Sequence, residues 1–140
     1  MTAPAPRGVR EMPATGGIYT ASKTRHAFMW QGVRGLYPII STWLDEAGPG
    51  ETGDWGDLWT RCIAEASGCA ALVLFAVDEA EASELKGALV EVGAALAHGR
   101  PVFYCGPDMP RWSFLRHPLV TRCASPAEAL ALAAAEARQP

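Results

Sequence analysis

No block of lysine or arginine stands anywhere in the 140 residues, and the net charge is -3. Duplex nucleic acid and anionic membrane surfaces are therefore poor matches as main partners. No apolar run approaches the roughly 18 residues that a membrane span requires. The first residues, "MTAPAPRGVREMPATGG", lack the apolar core of a signal peptide, and their Pro, Ala and Gly content predicts a flexible arm over residues 1–16. Cys62, Cys69, Cys105 and Cys123 contain no C-x-x-C pair. That spacing argues against a zinc site or a disulfide framework and for reduced, buried thiols in a cytoplasmic protein. Neither G-x-x-x-x-G-K-[ST] nor G-x-G-x-x-G occurs. The acids of "DEAGPGETGDWGD" lack the alternating spacing of a calcium loop. No metal and no cofactor is expected.

What remains is a globular composition, 49% hydrophobic, of a length that suits one domain over residues 17–140. "IYT" after Gly17 is a short strand that runs into polar "ASKTRH". "TRHAFMWQGVRGL" can be helical, with Phe28, Met29 and Val33 inward. "PIIST" (38–42) is β-branched and reads as a second strand. "LWTRCIAEASG" is a helix closing on Gly68 as a plausible C-cap. "ALVLFAV" is a continuous apolar strand of the kind found in the middle of a sheet. "DEAEASELK" is a polar loop or helix start, "GALVEVGAALAHG" a helix ending at Gly99, and "PVFYC" and "LVTRC" are strands. The last helix, "SPAEALALAAAEA", has Ser125 at its N-cap and Pro126 at N1. This alternation predicts a doubly wound α/β domain, flavodoxin-like or Rossmann-like. Five parallel strands in the order 2-1-3-4-5 carry helices on both faces. Sites in such sheets lie beyond the carboxyl ends of the strands. That rule gathers "TASK", the loop after Thr42 and "DEAEASELKG", with Asp78 and Gly87, around one crevice.

Glu91 stands among Val90, Val92, Ala94, Ala95 and Leu96. A carboxylate is costly to bury without a partner. The bland reading is a solvent-facing residue on an amphipathic helix, but these flanks leave little polar face. The N-terminal dipole of the helix would favour its charge, and Tyr19 at the end of the neighbouring strand could donate a hydrogen bond to it. A carboxylate held ionised in an apolar pocket can attack an electrophilic carbon such as the anomeric carbon of a nucleoside.

"IYTASK", "LVLFAVDE" and "KGALVEVGAALAHGRPVFYCG" together resemble the nucleoside 2-deoxyribosyltransferase family, which includes deoxynucleoside 5'-monophosphate N-glycosidases. The resemblance covers residues 17–106. It implies a double displacement, in which Glu91 attacks C1' to form a glycosyl ester, Tyr19 positions the carboxylate, and water or a second base releases the sugar. Family transferases carry an Asp six residues before the nucleophile. Leu85 stands there in this chain, and Glu84, one residue further back, is the candidate for that place. Members often hold the leaving base with an Asp in the helix before the third strand, and Asp57 begins the comparable helix here. The resemblance also implies at least a homodimer.

Ser22, Lys23, Thr24, Arg25 and His26 offer hydroxyls, cations and backbone N–H groups after the first strand, a set suited to a phosphate. An N-cap followed by solvated cations explains them about equally well. Of the five tryptophans, Trp30 and Trp59 read first as core or interface. Trp43 and Trp55 stand where a ring could stack on a nucleobase, and Trp43 is retained as a substrate-binding candidate. Three readings remain: an enzyme acting on the N-glycosidic bond of a small nucleoside or nucleotide, a nucleotide-binding module without turnover, and a structural subunit.

Overall fold

Every residue of "IYTA" and "VFYC", and the first four of "ALVLF", is buried, so the sheet they form is covered on both faces. The computed structural model describes residues 16–46 and 53–138. The strands are β1 (Ile18–Ala21), β2 (Ala71–Phe75), β3 (Val102–Cys105) and β4 (Val120–Cys123). They form a four-stranded sheet in the order β1-β2-β3-β4, parallel at every pairing. The half-exposed pattern of β4 marks it as an edge.

The helices are α1 (Ala27–Val33), α2 (Trp55–Gly68), α3 (Glu79–Glu84), α4 (Gly87–Ala97) and α5 (Pro126–Ala137). α2 packs on α4, α4 packs on β1 to β3, and α5 lies across all four strands. The architecture is α/β of the Rossmann-like kind. Among the described residues, no helix is long and apolar enough to cross a membrane.

Local chemistry accounts for the element ends. Ser125 Oγ accepts from Glu128 N at 3.1 Å, and Pro126 follows at the first helical position, where a missing N–H costs nothing. Gly99 takes φ +73° just beyond α4, a conformation that side chains with a Cβ resist. Gly68 closes α2 without a left-handed φ, and the C-cap is the extended Cys69.

Two other expectations change. "PIIST" contributes one parallel bridge, Ile39 beside Ile18 at the outer edge of β1, rather than a strand. Ile18 N donates to Pro38 O and Ile40 N to Ile18 O, but a 3-10 turn begins at Thr42 and ends the pairing. Phe28 is 81% exposed, whereas Trp30 is wholly buried and Met29 and Val33 are partly so. The inner face of α1 is thus set by Ala27 and Trp30. The predicted arm over residues 1–16 falls, except for Gly16, outside the described residues. All four thiols are free and buried, and burial pushes Cys62 up to about 12 and Cys69 and Cys123 to about 11. They are neutral and unreactive at physiological pH.

Candidate functional site

α4 begins with Gly87 at the carboxyl end of the sheet and carries Glu91 on its second turn, facing β1. Tyr19 projects from β1 to meet it, and Tyr19 Oη donates to Glu91 Oε2 at 2.7 Å. Tyr19 is fully buried and Glu91 is 8% exposed. The Cys62 thiol, on α2, lies beside the pair. Burial pushes the Glu91 carboxyl up to about 7; the hydrogen bond from Tyr19 and the neighbouring Cys62 thiol oppose the rise, and the charge of Glu65 adds to it. Burial, followed by the charge of Glu91, raises the Tyr19 phenol well above its ordinary range, so it remains a donor. The result is a carboxylate poised between its two protonation states at neutral pH.

Behind this pair Glu65 is also buried. Thr42 N donates to it at 3.0 Å and Thr42 Oγ1 at 2.6 Å. Burial raises its carboxyl against those bonds. It anchors the turn at Thr42 onto α2.

A cleft of about 620 Å³ opens at the carboxyl ends of β1 and β2. Ser22, Lys23 and Thr24 form one wall, and Ser83 to Ala88 form the other. Glu84 and Gly87 therefore line the cleft, as do the first three residues of "SKTRH". Glu91 lies one helical turn beyond Gly87 and Ala88, below the rim rather than on the wall. Gly87 lacks a side chain where α2 crosses closely: a Cβ there would stand 3.0 Å from the Trp59 ring.

Other candidates lie elsewhere. Arg25 and His26 turn away from the cleft to bind Glu81. Trp43 is core: its Nε1 donates to Thr20 O at 2.8 Å, and its ring is 7% exposed, so no face is free to stack on a base. Asp57 is on the surface of α2, accepting from Arg61 Nε at 2.9 Å. Asp78 is the N-cap of α3, where its Oδ1 accepts from Glu81 N at 2.8 Å. Among the described residues, no group of His, Cys, Asp and Glu is placed to hold a metal ion.

Glu81 was not legible as a buried residue, because it sits in a run of acids and alanines that reads as solvated. The signal was its spacing. Asp78 and Glu81 have the N-cap and N3 positions of a capping box. Here the Glu81 side chain reaches one residue further back, accepting from Val77 N at 3.0 Å.

Comparison with family models, with curated proteins and with solved structures found no match.

Tyr19→Phe is expected to preserve the fold, because the ring fills the same buried space. With the donor gone, the Glu91 carboxyl rises further above 7. Any activity that needs ionised Glu91 should then fall about tenfold or more at pH 7 and recover at higher pH. A pH–rate profile of the variant checks this.

Proposed function

We propose that this chain cleaves or transfers the N-glycosidic bond of a 2'-deoxynucleoside or its 5'-phosphate through a covalent ester on Glu91. The observation that carries this reading is the buried Tyr19–Glu91 hydrogen bond one turn from a cleft of nucleotide size. A structural carboxylate would gain nothing from a site that holds it near half ionisation; a nucleophile that must attack and later leave does. In the first step a Glu91 oxygen bonds to C1'. The C1'–N bond breaks, and its electron pair stays with the base nitrogen, which takes up a proton. In the second step water, or the N–H nitrogen of another base, attacks C1' and gives up a proton, which balances the one taken by the departing base, and the carboxylate is freed. Both steps run through an oxocarbenium-like state beside a negative charge.

The resemblance to nucleoside 2-deoxyribosyltransferases belongs to the same proposal. So do the flavodoxin-like strand order with the Ile39 segment as a fifth member, a cytoplasmic setting and a homo-oligomeric state. Lys23 and Lys86 beside the Thr24 hydroxyl suit a phosphate and favour a nucleotide over a free nucleoside; the Ser22 and Ser83 hydroxyls already donate to Lys23 O and Glu79 O.

A second reading is a nucleotide-binding module without turnover. It is favoured by the dispersal of the acids expected to handle the base: Asp57 is at the surface, and Glu84 is exposed at the end of α3. Incubation with each deoxynucleoside 5'-monophosphate, followed by chromatography for free base, separates the two. Release of base supports the enzyme. Calorimetric binding without release supports the module, and neither binding nor release removes both.

A further inference from the structure

Glu81 is the most deeply buried carboxylate among the described residues, at 1% exposure. Its donors come from two connections. Val77 N belongs to the segment between β2 and α3. Arg25 and His26 belong to the segment after β1, 56 and 55 residues away in sequence. Arg25 Nε donates at 2.8 Å and Arg25 Nη2 donates to the same oxygen. His26 Nε2 is 2.8 Å and 2.9 Å from the two oxygens. A carboxylate only accepts, so that nitrogen carries its proton. Burial works against the charge, but the bonds from Val77, Arg25 and His26 hold Glu81 below the ordinary carboxylate range. His26 also sets its ring edge on Phe75 at the end of β2, with centroids 5.0 Å apart.

These two connections are the roots of the two cleft walls. Ser22, Lys23 and Thr24 immediately precede Arg25, and Ser83 to Ala88 follow shortly after Glu81. β1 and β2 are neighbours, so their connections leave the sheet side by side. Without a tie, the first wall would be a short, partly exposed turn. Ser22 has one further anchor, the bond that its Oγ accepts from Trp30 Nε1 at 2.9 Å.

Resting on the reading of the cleft as the substrate cavity, we propose that Glu81 is a positioning residue. It clasps the two walls through Arg25 and His26 and so fixes the Ser22–Thr24 turn where a nucleotide meets it. Arg25 is thereby held for the clasp and is not a contact of the substrate. Lys23 and Lys86 are the cations that the walls present.

Glu81→Gln keeps the size of the side chain and removes the charge that gathers Arg25 and His26. KM for the deoxynucleotide should rise about tenfold, with kcat within about threefold. The acid limb set by Glu91 should not move. Amide exchange should quicken over residues 22–34 and stay slow over residues 71–75. Arg25→Gln alters a side chain that is 60% exposed, so it threatens the fold less and should reproduce the KM effect in part. An unchanged KM in both variants overturns the proposal. A lower KM in Glu81→Gln also overturns it, since that would mean a freed Arg25 grips the phosphate itself. If the wild type releases no base, the functional reading fails and the exchange data alone decide the clasp: acceleration confined to residues 22–34 supports it, and unchanged exchange refutes it.

Discussion

Glu91→Gln is expected to yield a protein that is more stable than the wild type at pH 8 and releases no base. Both halves follow from one environment. The Glu91 carboxyl titrates near 7 in the fold and near 4.5 in the unfolded chain. A folded value raised in this way favours the protonated form. Its contribution to stability is complete below pH 4.5 and is lost as the pH rises through 7. The difference corresponds to about 3 kcal/mol at pH 8. Glutamine mimics the protonated carboxyl, and its carbonyl still accepts from Tyr19. The variant should therefore melt roughly 10 °C higher than wild type at pH 8 and at nearly the same temperature at pH 4.5. Glu65, also raised, and Glu81, lowered, titrate in both proteins, so the difference between the two melting curves isolates Glu91. The amide cannot form the glycosyl ester, and base release should fall on the order of a thousandfold or more. A variant that gained no stability at pH 8 would mean that the buried carboxylate is better solvated than its surroundings indicate.

Glu81→Ala should have the largest destabilising effect of any single polar substitution at this end of the sheet, about 3 kcal/mol. The loss combines the Val77 N–H left without its acceptor, the cavity, and the release of Arg25 and His26 from a buried partner. Arg25 can return to water, which keeps the loss from being larger. The sign of the pH dependence is opposite to that of Glu91. A carboxyl held below its ordinary range contributes stability above pH 4.5, and that contribution fades as the pH falls through its folded value. Chemical denaturation at pH 7 and again in acid checks both statements: the gap between wild type and variant should be widest at pH 7 and smaller in acid, where only the cavity and the Val77 N–H remain.

The legible and illegible parts of this chain divide by physical cause. Continuous apolar runs such as "ALVLF" and "VFYC" are recognisable because burial on both faces admits no polar residue. α5 is recognisable because its start is written in one residue each, Ser125 and Pro126. Glu91 could be placed indoors because its neighbours offer little polar face, although Val90 among them is exposed, and it meets Tyr19 because α4 packs on β1, where Tyr19 is the second residue rather than the end of the strand. Trp43 was misplaced because its identity does not say which way a 3-10 turn will point it. Phe28 was misplaced because the helix begins with a 3-10 turn, which shifts the phase of the inner face. "PIIST" has the composition of a strand, but its pairing is limited to a single bridge on one side of an edge. Arg25 and His26 look like ligand groups in the sequence because nothing local shows that a carboxylate over fifty residues away takes both.

The central claim is that the oxygen of Glu91 forms a bond to C1' of a deoxynucleotide. Acid quenching of the protein during turnover, followed by trypsin and mass spectrometry, tests it directly, because cleavage after Lys86 and Arg111 (the Arg100–Pro101 bond resists trypsin) isolates residues 87–111, whose carboxylate side chains are Glu91 and Asp108. The account predicts that this peptide gains the mass of the sugar phosphate, with the fragment ions placing it on Glu91, and that the Glu91→Gln peptide gains nothing. Base release with an unmodified peptide at every quench time, or a sugar attached to another residue, would contradict it.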